Sequence, residues 1–311
     1  MMKELFEFLF SMMIFPGFLF LVALGMLFHW IDRKLIARFE GRIGPPWYQP
    51  LADTIKLFAK EDILPIGTNE AFALLLPLTS FATVLTAGFY IFSAFITSNT
   101  SFEGDFIMIV FLLSLPSLLF FLGGWTTSGI YSILGGNRSL LQYFSYEVLF
   151  LVTLSGASIA SGSWSLAGIR SVQENGSPFV LSQMVGFMLA MAGLIGKLKR
   201  SPYDIPKAKS EMIVGPLTEY SGKKLAMWNL TDYVQTVAGI ALLVQCYFSG
   251  LWITYSPVGI FTSILLMLGL QVSLAIISTI FTRLRIDQLI DLNWKIFIPL
   301  SLLQNILIII L

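Results

Sequence analysis

Cysteine and histidine are almost absent from this sequence. Among its 311 residues there is one cysteine, Cys246, and one histidine, His29. A single cysteine cannot hold an iron–sulfur cluster or form an internal disulfide. A single histidine excludes a two-histidine haem and a histidine-rich metal site. The sequence therefore predicts a chain with no cofactor, metal or redox centre of its own, and it points to no catalytic residue.

Charged residues are also scarce. They make up 12% of the chain, while hydrophobic residues make up 56%; a typical soluble domain has about twice that share of charge. A soluble core cannot bury so much apolar surface, whereas a lipid bilayer can cover it. The formal net charge is +1, so no bulk electrostatic field favours a nucleic-acid partner.

Apolar stretches of the length that crosses a bilayer, about 20 residues in a helix, occur along the whole chain. We predict spans at about residues 8–31, 71–96, 105–123, 140–161, 179–197, 228–250, 258–280 and 294–311. The predicted fold is all-α: a polytopic membrane protein with about eight transmembrane helices, forming a single integral membrane domain over residues 1–311.

The cations are distributed unequally between the two sides of this predicted topology. Seventeen of the 19 Lys and Arg residues lie in alternate loops, most of them in the long loops 32–70 and 197–227, and the other side has only Lys3 and Arg170. Cytoplasmic loops are the ones enriched in Lys and Arg. The sequence therefore predicts a multi-pass protein of the plasma membrane with the long basic loops in the cytoplasm and both termini outside.

The first long loop contains a short amphipathic pattern that begins at Pro50, a residue suited to the first turn of a helix. Its apolar face holds Leu51, Ile55 and Phe58, and its polar face holds Asp53, Lys56 and Lys60. This pattern predicts an interfacial helix after the first span. On the pattern alone, the helix is either a simple interfacial anchor or part of a docking surface.

The fourth predicted span contains a single carboxylate, Glu147, about two turns inside the end predicted to be cytoplasmic. An ionisable group inside a span is costly and marks an ion or proton pathway by default. Tyr143 lies one turn earlier on the same face and is predicted to hydrogen-bond Glu147. The alternative is a carboxylate that reaches back to the cytoplasmic interface and takes no part in ion transfer.

The second long loop mixes cations with Ile, Met, Val, Leu and Tyr, which is typical of a docking surface; a solvated charged loop is the alternative. Lys207 and Glu211 are spaced i, i+4, and this spacing allows them to pair, although Lys preceding Glu is the weaker order.

Four motif blocks, in order along nearly the whole chain, resemble those of the complex I subunit 1 family, known in bacteria as the H subunit of NADH:quinone oxidoreductase. They are Asp32-Arg33-Lys34 with Arg42-Ile43-Gly44-Pro45 and Gln49-Pro50-Leu51-Ala52-Asp53-Thr54-Ile55-Lys56; Gly124-Trp125 with Ser145-Tyr146-Glu147-Val148; Arg200-Ser201-Pro202-Tyr203-Asp204 with Ser210-Glu211, Gly215 and Glu219-Tyr220-Ser221-Gly222; and Arg285-Ile286-Asp287-Gln288-Leu289 with Trp294-Lys295. Within the family the chain resembles the membrane subunit of archaeal membrane-bound hydrogenases and sulfane reductases.

The resemblance implies an eight-helix subunit that docks a peripheral iron–sulfur subunit and a catalytic large subunit on its cytoplasmic side. It also implies a link to antiporter-like membrane subunits. Iron–sulfur clusters, and nickel–iron in a hydrogenase, would belong to those partners. By position in the motifs, the ion pathway is assigned to Asp53, Glu147, Asp204, Glu211 and Glu219, and Tyr143 is added to it as the neighbour of Glu147 on the same face. The docking surface is assigned to Arg33, Arg42, Lys56, Arg200, Arg285 and Asp287.

Two departures from the family pattern affect the predicted function. Three residues separate Gly44-Pro45 from Gln49-Pro50, where quinone-reactive members have a longer glycine-containing loop. After Asp204, Lys207 and Lys209 replace glutamates that are frequent in the family. We therefore predict a coupling subunit of a redox-driven ion pump of the hydrogenase or sulfane reductase type. The alternatives are a quinone- or phenazine-reactive subunit, a stand-alone transporter and a scaffold with no ion role.

Overall fold

A computed structural model describes residues 10–96, 101–251 and 257–310. Over these residues the protein is all-helical, with helices at each of the eight predicted spans. The helices are α1 (Phe18–Phe39), α2 (Gln49–Ala59), α3 (Glu70–Ile96), α4 (Asp105–Thr126), α5 (Ile130–Ser161), α6 (Leu166–Asn175), α7 (Met184–Lys197), α8 (Gly222–Tyr247), α9 (Pro257–Ile280) and α10 (Ile286–Ile310). The predicted start of the first span, at residue 8, lies outside the described residues.

Six of these helices, all except α2, α6, α7 and α8, are long and apolar enough to cross a membrane, with the first taken as Phe10–Phe39. Helix α7 has 14 residues and follows a single turn at Phe179–Ser182. The prediction of an all-α, multi-pass membrane protein is confirmed.

Helix α8 forms the centre of the bundle. It packs against α1, α2, α3 and α9, and every residue from 233 to 247 is buried. A helix that is buried all round does not need a lipid-facing stripe. This explains why α8 can carry Asp232, Gln235 and Gln245 within the membrane domain.

The interfacial helix predicted after the first span is α2, and this prediction is confirmed. Pro50 lies in its first turn and is buried together with Thr54. The apolar side chains of Leu51, Ile55 and Phe58 remain exposed. The exposed apolar face is what a helix lying along a membrane surface requires.

Helix α5 is longer than the predicted fourth span, which began at residue 140. It begins at Ile130, and two glycines in its first turns are used for close packing. A Cβ atom at Gly135 would lie 2.7 Å from the Cα of Gly215, and one at Gly136 would lie 3.2 Å from the carbonyl oxygen of Phe121. Glu147 therefore lies in the middle of α5.

Candidate functional site

A buried ion pair joins α5 to α7. Lys197 Nζ donates a hydrogen bond to Glu147 Oε1 over 3.0 Å, and the two side chains are 0% and 6% exposed. Glu147 Oε2 has no hydrogen-bond partner among the described residues. The Lys197 ammonium also lies 4.7 Å from the centre of the Phe150 ring, which adds a cation–π contact. This pair places two opposite charges in the interior of the membrane domain.

Two glycines of α7 make this contact possible. A Cβ atom at Gly193 would lie 3.1 Å from Phe150, and one at Gly196 would lie 2.7 Å from the Tyr146 Cβ. Small residues let two membrane helices approach closely. The close approach of α7 to α5 brings the end of α7, and with it Lys197, level with Glu147. Tyr146 is fixed in the same contact because its hydroxyl hydrogen-bonds Ser117 Oγ over 2.6 Å.

A second ion pair connects the segment after α7 to the central helix. Lys207 Nζ donates to Asp232 Oδ2 on α8, and both side chains are partly buried. The same ammonium lies 5.5 Å from the centre of the Phe120 ring. Tyr233, the residue after Asp232 on α8, stacks its ring on that of His29 with the two centroids 4.1 Å apart. The only histidine of the chain is thus packed on α8 beside Asp232.

A third pair joins α1 to the segment after α7. Arg200 Nη1 donates to Asp32 Oδ1 over 2.7 Å, and the side chains are 15% and 10% exposed. Asp32 Oδ1 also accepts a hydrogen bond from Gln271 Nε2 of α9 over 2.9 Å. Three separate elements are therefore tied together at Asp32. Arg200 was predicted to be a docking cation, but here its guanidinium is engaged within the chain.

Towards the surface the charged groups are exposed. On α2, Asp53 accepts hydrogen bonds from Gln49 over 2.8 Å and from Arg33 over 3.3 Å. Arg42 contacts Glu40 and is largely exposed, and Lys56 is exposed on the polar face of α2. Arg285 and Asp287 are exposed at the start of α10.

On the surface, Glu211 connects α5 with the segment that precedes α10. It accepts from Arg138 over 2.5 Å and from Arg283 over 3.2 Å. The hydrogen bond from Arg138, with the charge of Arg283, lowers the pKa of Glu211 below its ordinary value. The predicted pairing with Lys207 was wrong, because Lys207 is held by Asp232; the side chain of Lys209 is outside those that the structure describes. Glu211, Arg138 and Arg283 line a cleft of about 540 Å³ together with Arg285 and Asp287.

The other predicted pathway residues near the interior are Asp204, Glu219 and Tyr143. Asp204 is half-buried in the turn after α7, and Glu219 is half-buried against Gly129 at the start of α5. The Tyr143 hydroxyl contacts Ser114 on α4, and Glu147 takes its hydrogen bond from Lys197. The predicted hydrogen bond between Tyr143 and Glu147 was therefore wrong.

Sequence reasoning missed four members of this interior: Lys197, Lys199, Asp32 and Asp232. Lys197 and Lys199 belong to the run KLKR at the end of an apolar stretch, so they were counted as cytoplasmic loop cations. Both are buried. A second carboxylate inside an apolar stretch, Asp232, was a signal available in the sequence. No group of three or more His, Cys, Asp or Glu side chains able to hold a metal ion occurs within the described residues.

Charged side chains inside a bundle of membrane helices are rare, and they mark ion pathways or paired structural sites. The fold and these pairs define a multi-pass membrane protein with a charge-paired interior.

A family model described as NADH dehydrogenase matches residues 11–309. The H subunit of NADH-quinone oxidoreductase from Dehalococcoides mccartyi is 32% identical over 296 residues, covering 91% of this chain and 81% of the relative. An H subunit of the same enzyme from Syntrophobacter fumaroxidans is 33% identical, covering 88% of this chain and 87% of the relative. The chain belongs to the NADH dehydrogenase family, that of complex I subunit 1 and the bacterial H subunits.

Among solved structures, a chain from the membrane-bound sulfane sulfur reductase, an archaeal respiratory membrane complex, has the same fold. The TM-score is 0.82 at 21% sequence identity, and the match covers 93% of this chain and 96% of that one. The resemblance inferred from the four motif blocks is confirmed at the level of family and fold.

Proposed function

We propose that this chain is the membrane subunit that couples a soluble redox arm to ion translocation in a respiratory complex of the hydrogenase or sulfane reductase type. The observation that carries the proposal is the buried pair of Glu147 and Lys197. A structural subunit gains little from such a pair, because desolvating two charges offsets much of their attraction. A pathway for protons needs titratable groups at this depth.

The soluble partners proposed are a peripheral iron–sulfur subunit and a catalytic large subunit, which hold the redox cofactors. Their docking surface comprises the exposed charges of the first long loop and the start of α10: Arg42, Lys56, Arg285 and Asp287. Arg33 and Arg200 are engaged by Asp53 and Asp32, so we assign them to holding this surface in shape. Antiporter-like membrane subunits are the proposed partners within the bilayer, and the cytoplasm is the proposed side of loops 32–70 and 197–227.

The experiment that tests the coupling role removes the ion pair without leaving a lone charge. The double variant Glu147→Gln/Lys197→Met keeps the approximate volume of both side chains and cannot titrate. We expect an assembled complex whose ion uptake per electron falls at least tenfold in membrane vesicles. The matched control is Asp291→Asn, which breaks the exposed pair with Lys295 and leaves pumping unchanged. Normal uptake per electron in the double variant would contradict the proposal.

A quinone-reactive complex is the second candidate, because the relatives at 31–33% identity are named as subunits of NADH-quinone oxidoreductase. Electron-transfer measurements on the purified complex distinguish the two candidate functions. Reduction of an added quinone that stops when Trp47 or Tyr48, both exposed just before α2, is replaced supports the second candidate. Electron transfer that proceeds without any quinone supports the first.

A further inference from the structure

Lys199 is a buried lysine with no carboxylate of its own. It is 6% exposed, and its ammonium lies 4.4 Å from the centre of the Phe120 ring. Within the described residues, no carboxylate oxygen lies within 4.0 Å of its Nζ atom, since Glu147 is taken by Lys197 and Asp232 by Lys207. An aromatic face compensates a desolvated ammonium only in part.

The backbone at Lys199 adds a second unusual feature. Lys199 has a φ of 51° and stands at the end of α7. The N–H of Lys199 donates to the Gly196 carbonyl, and the N–H of Arg200 donates to the Ile195 carbonyl. These two bonds form a Schellman motif, in which the left-handed position is usually glycine. A lysine here is disfavoured by its backbone as well as by its burial, so neither helix termination nor packing explains it.

The charges around Lys199 come from three directions. Asp232 faces it from α8, Lys197 from the end of α7 and Lys207 from the following segment. Arg33 and Arg200 are further charges near Asp232, since they act together with Asp232 and Lys207 on His29. Burial, assisted by Lys207 and Lys197 and opposed by Asp232, lowers the pKa of Lys199 to about 8. The charges of Lys207 and Asp232, and of Lys197 from the pair with Glu147, thus all act on Lys199.

We propose that Lys199 is a proton-loading group, which takes up a proton from the cytoplasmic side and passes it to the pair of Glu147 and Lys197. In the step, the N–H bond of the Lys199 ammonium breaks, the amine becomes neutral, and the proton binds the Glu147 carboxylate, whose Oε2 atom has no partner among the described residues. The redox change in the docked arm supplies the free energy. This inference rests on the proposed function and specifies its ion: an ammonium donates protons and offers no ligand to Na⁺.

The test uses the intact complex in membrane vesicles and three variants of one residue. Lys199→Arg keeps a positive charge but cannot release a proton. Lys199→Gly removes the amine and suits the left-handed backbone. We expect both complexes to assemble and to lose at least tenfold in protons pumped per electron. Lys199→His retains part of the pumping. Its rate falls at a lower pH than the parent rate, which falls near pH 8, because an unperturbed histidine has a pKa of about 6.5.

Parent-level pumping in either Lys199→Arg or Lys199→Gly would overturn the inference. If Lys199→Arg does not assemble because its side chain is too large for the site, the pumping measured for Lys199→Gly decides whether the inference holds. The double variant Glu147→Gln/Lys197→Met is measured in the same vesicles. If Lys199→Arg pumps normally while the double variant is impaired, the role of Lys199 is rejected but the proposed function is not. Normal pumping in both also rejects the proposed function.

Discussion

Lys197 and Glu147 form a 3.0 Å ion pair between α7 and α5 with almost no exposure of either side chain. Removing one partner of a buried pair leaves an uncompensated charge and costs about 3–5 kcal/mol, whereas replacing both by groups of similar volume is often neutral. The pair is therefore expected to contribute little net stability, and this makes its effect on stability separable from its effect on function.

The first prediction concerns the stability of the complex when one or both partners of this ion pair are replaced. Lys197→Met alone is expected to lower the stability of the complex by about 3–5 kcal/mol, and adding Glu147→Gln is expected to restore most of it. The measurement is the thermal unfolding midpoint of the purified complex in detergent. Equal midpoints for the single and double variants would show that the two side chains are not coupled.

The second prediction compares the largely buried ion pair of Arg200 and Asp32 with the exposed ion pair of Arg33 and Asp53. Arg200→Gln leaves Asp32 with only Gln271 as a partner among the described residues and is expected to cost about 1–3 kcal/mol. Arg33→Gln breaks the exposed pair with Asp53 and is expected to cost less than about 1 kcal/mol. The thermal unfolding midpoints of the two variants, each compared with that of the parent, show which substitution costs more stability. A larger loss in Arg33→Gln would contradict the assignment of Arg200 to the interior.

Arg200 and Arg42 show that the sequence does not predict which cations face the interior. Apolar runs located the spans, and the spacing of Leu51, Ile55 and Phe58 located α2, because both patterns are local. The blocks of motif residues identified the family. Which cations face inward depends on contacts between distant segments: Arg200 meets Asp32 across 168 positions of sequence, whereas Arg42 contacts Glu40 at the surface.

The buried lysines were missed for the same reason. A run of cations after an apolar stretch normally marks the cytoplasmic end of a span, and KLKR has that form. The close approach of α7 to α5 at Gly193 and Gly196 instead draws Lys197 into the bundle. The i, i+4 spacing of Lys207 and Glu211 also gave the wrong pair, because the chain turns between them and Asp232 offers Lys207 a more buried carboxylate.

The third prediction tests the docking surface. Arg42→Glu and Lys56→Glu reverse exposed charges in the first long loop, and each is expected to weaken retention of the soluble arm by about tenfold or more, because like charges then face each other across the interface. The measurement is the amount of soluble subunits that co-purify with the membrane chain at fixed salt. Glu103→Lys, an exposed charge reversal between α3 and α4, is the control and should retain the arm. Full retention in both loop variants would remove this surface from the proposal.

The fourth prediction concerns the sides of the membrane. Cys246 is buried, so the parent protein is expected to resist a membrane-impermeant thiol reagent. Cysteines introduced at Lys60 and Lys223, both exposed in the long loops, should react only from the cytoplasmic side. A cysteine at Glu103 should react only from the other side. Labelling of either loop position from outside intact cells would contradict the proposed orientation.

The fifth prediction follows from the lowered pKa of Glu211. A carboxylate whose pKa is depressed in the folded state contributes stability that is present above its ordinary pKa, here 4.5, and is lost only as the pH falls through the lower folded value. The bridge from Glu211 to Arg138 and Arg283 should therefore stay intact from pH 8 to pH 5. The measurement is hydrogen exchange of the amides at residues 281–287, corrected for the intrinsic effect of pH. We expect constant protection across this range.

Glu211→Gln removes the charge at every pH and should raise exchange of these amides at pH 8 and pH 5 alike, because a neutral amide binds two guanidinium groups more weakly than a carboxylate does. Asp287→Asn is the matched control, since Asp287 lines the same cleft but is not part of the bridge from Glu211 to Arg138 and Arg283, and it should leave the protection unchanged. Protection that falls between pH 8 and pH 5 in the parent would mean that Glu211 takes up a proton in the working range. It would then act in the ion pathway to which its motif position assigns it, and not only as a bridge.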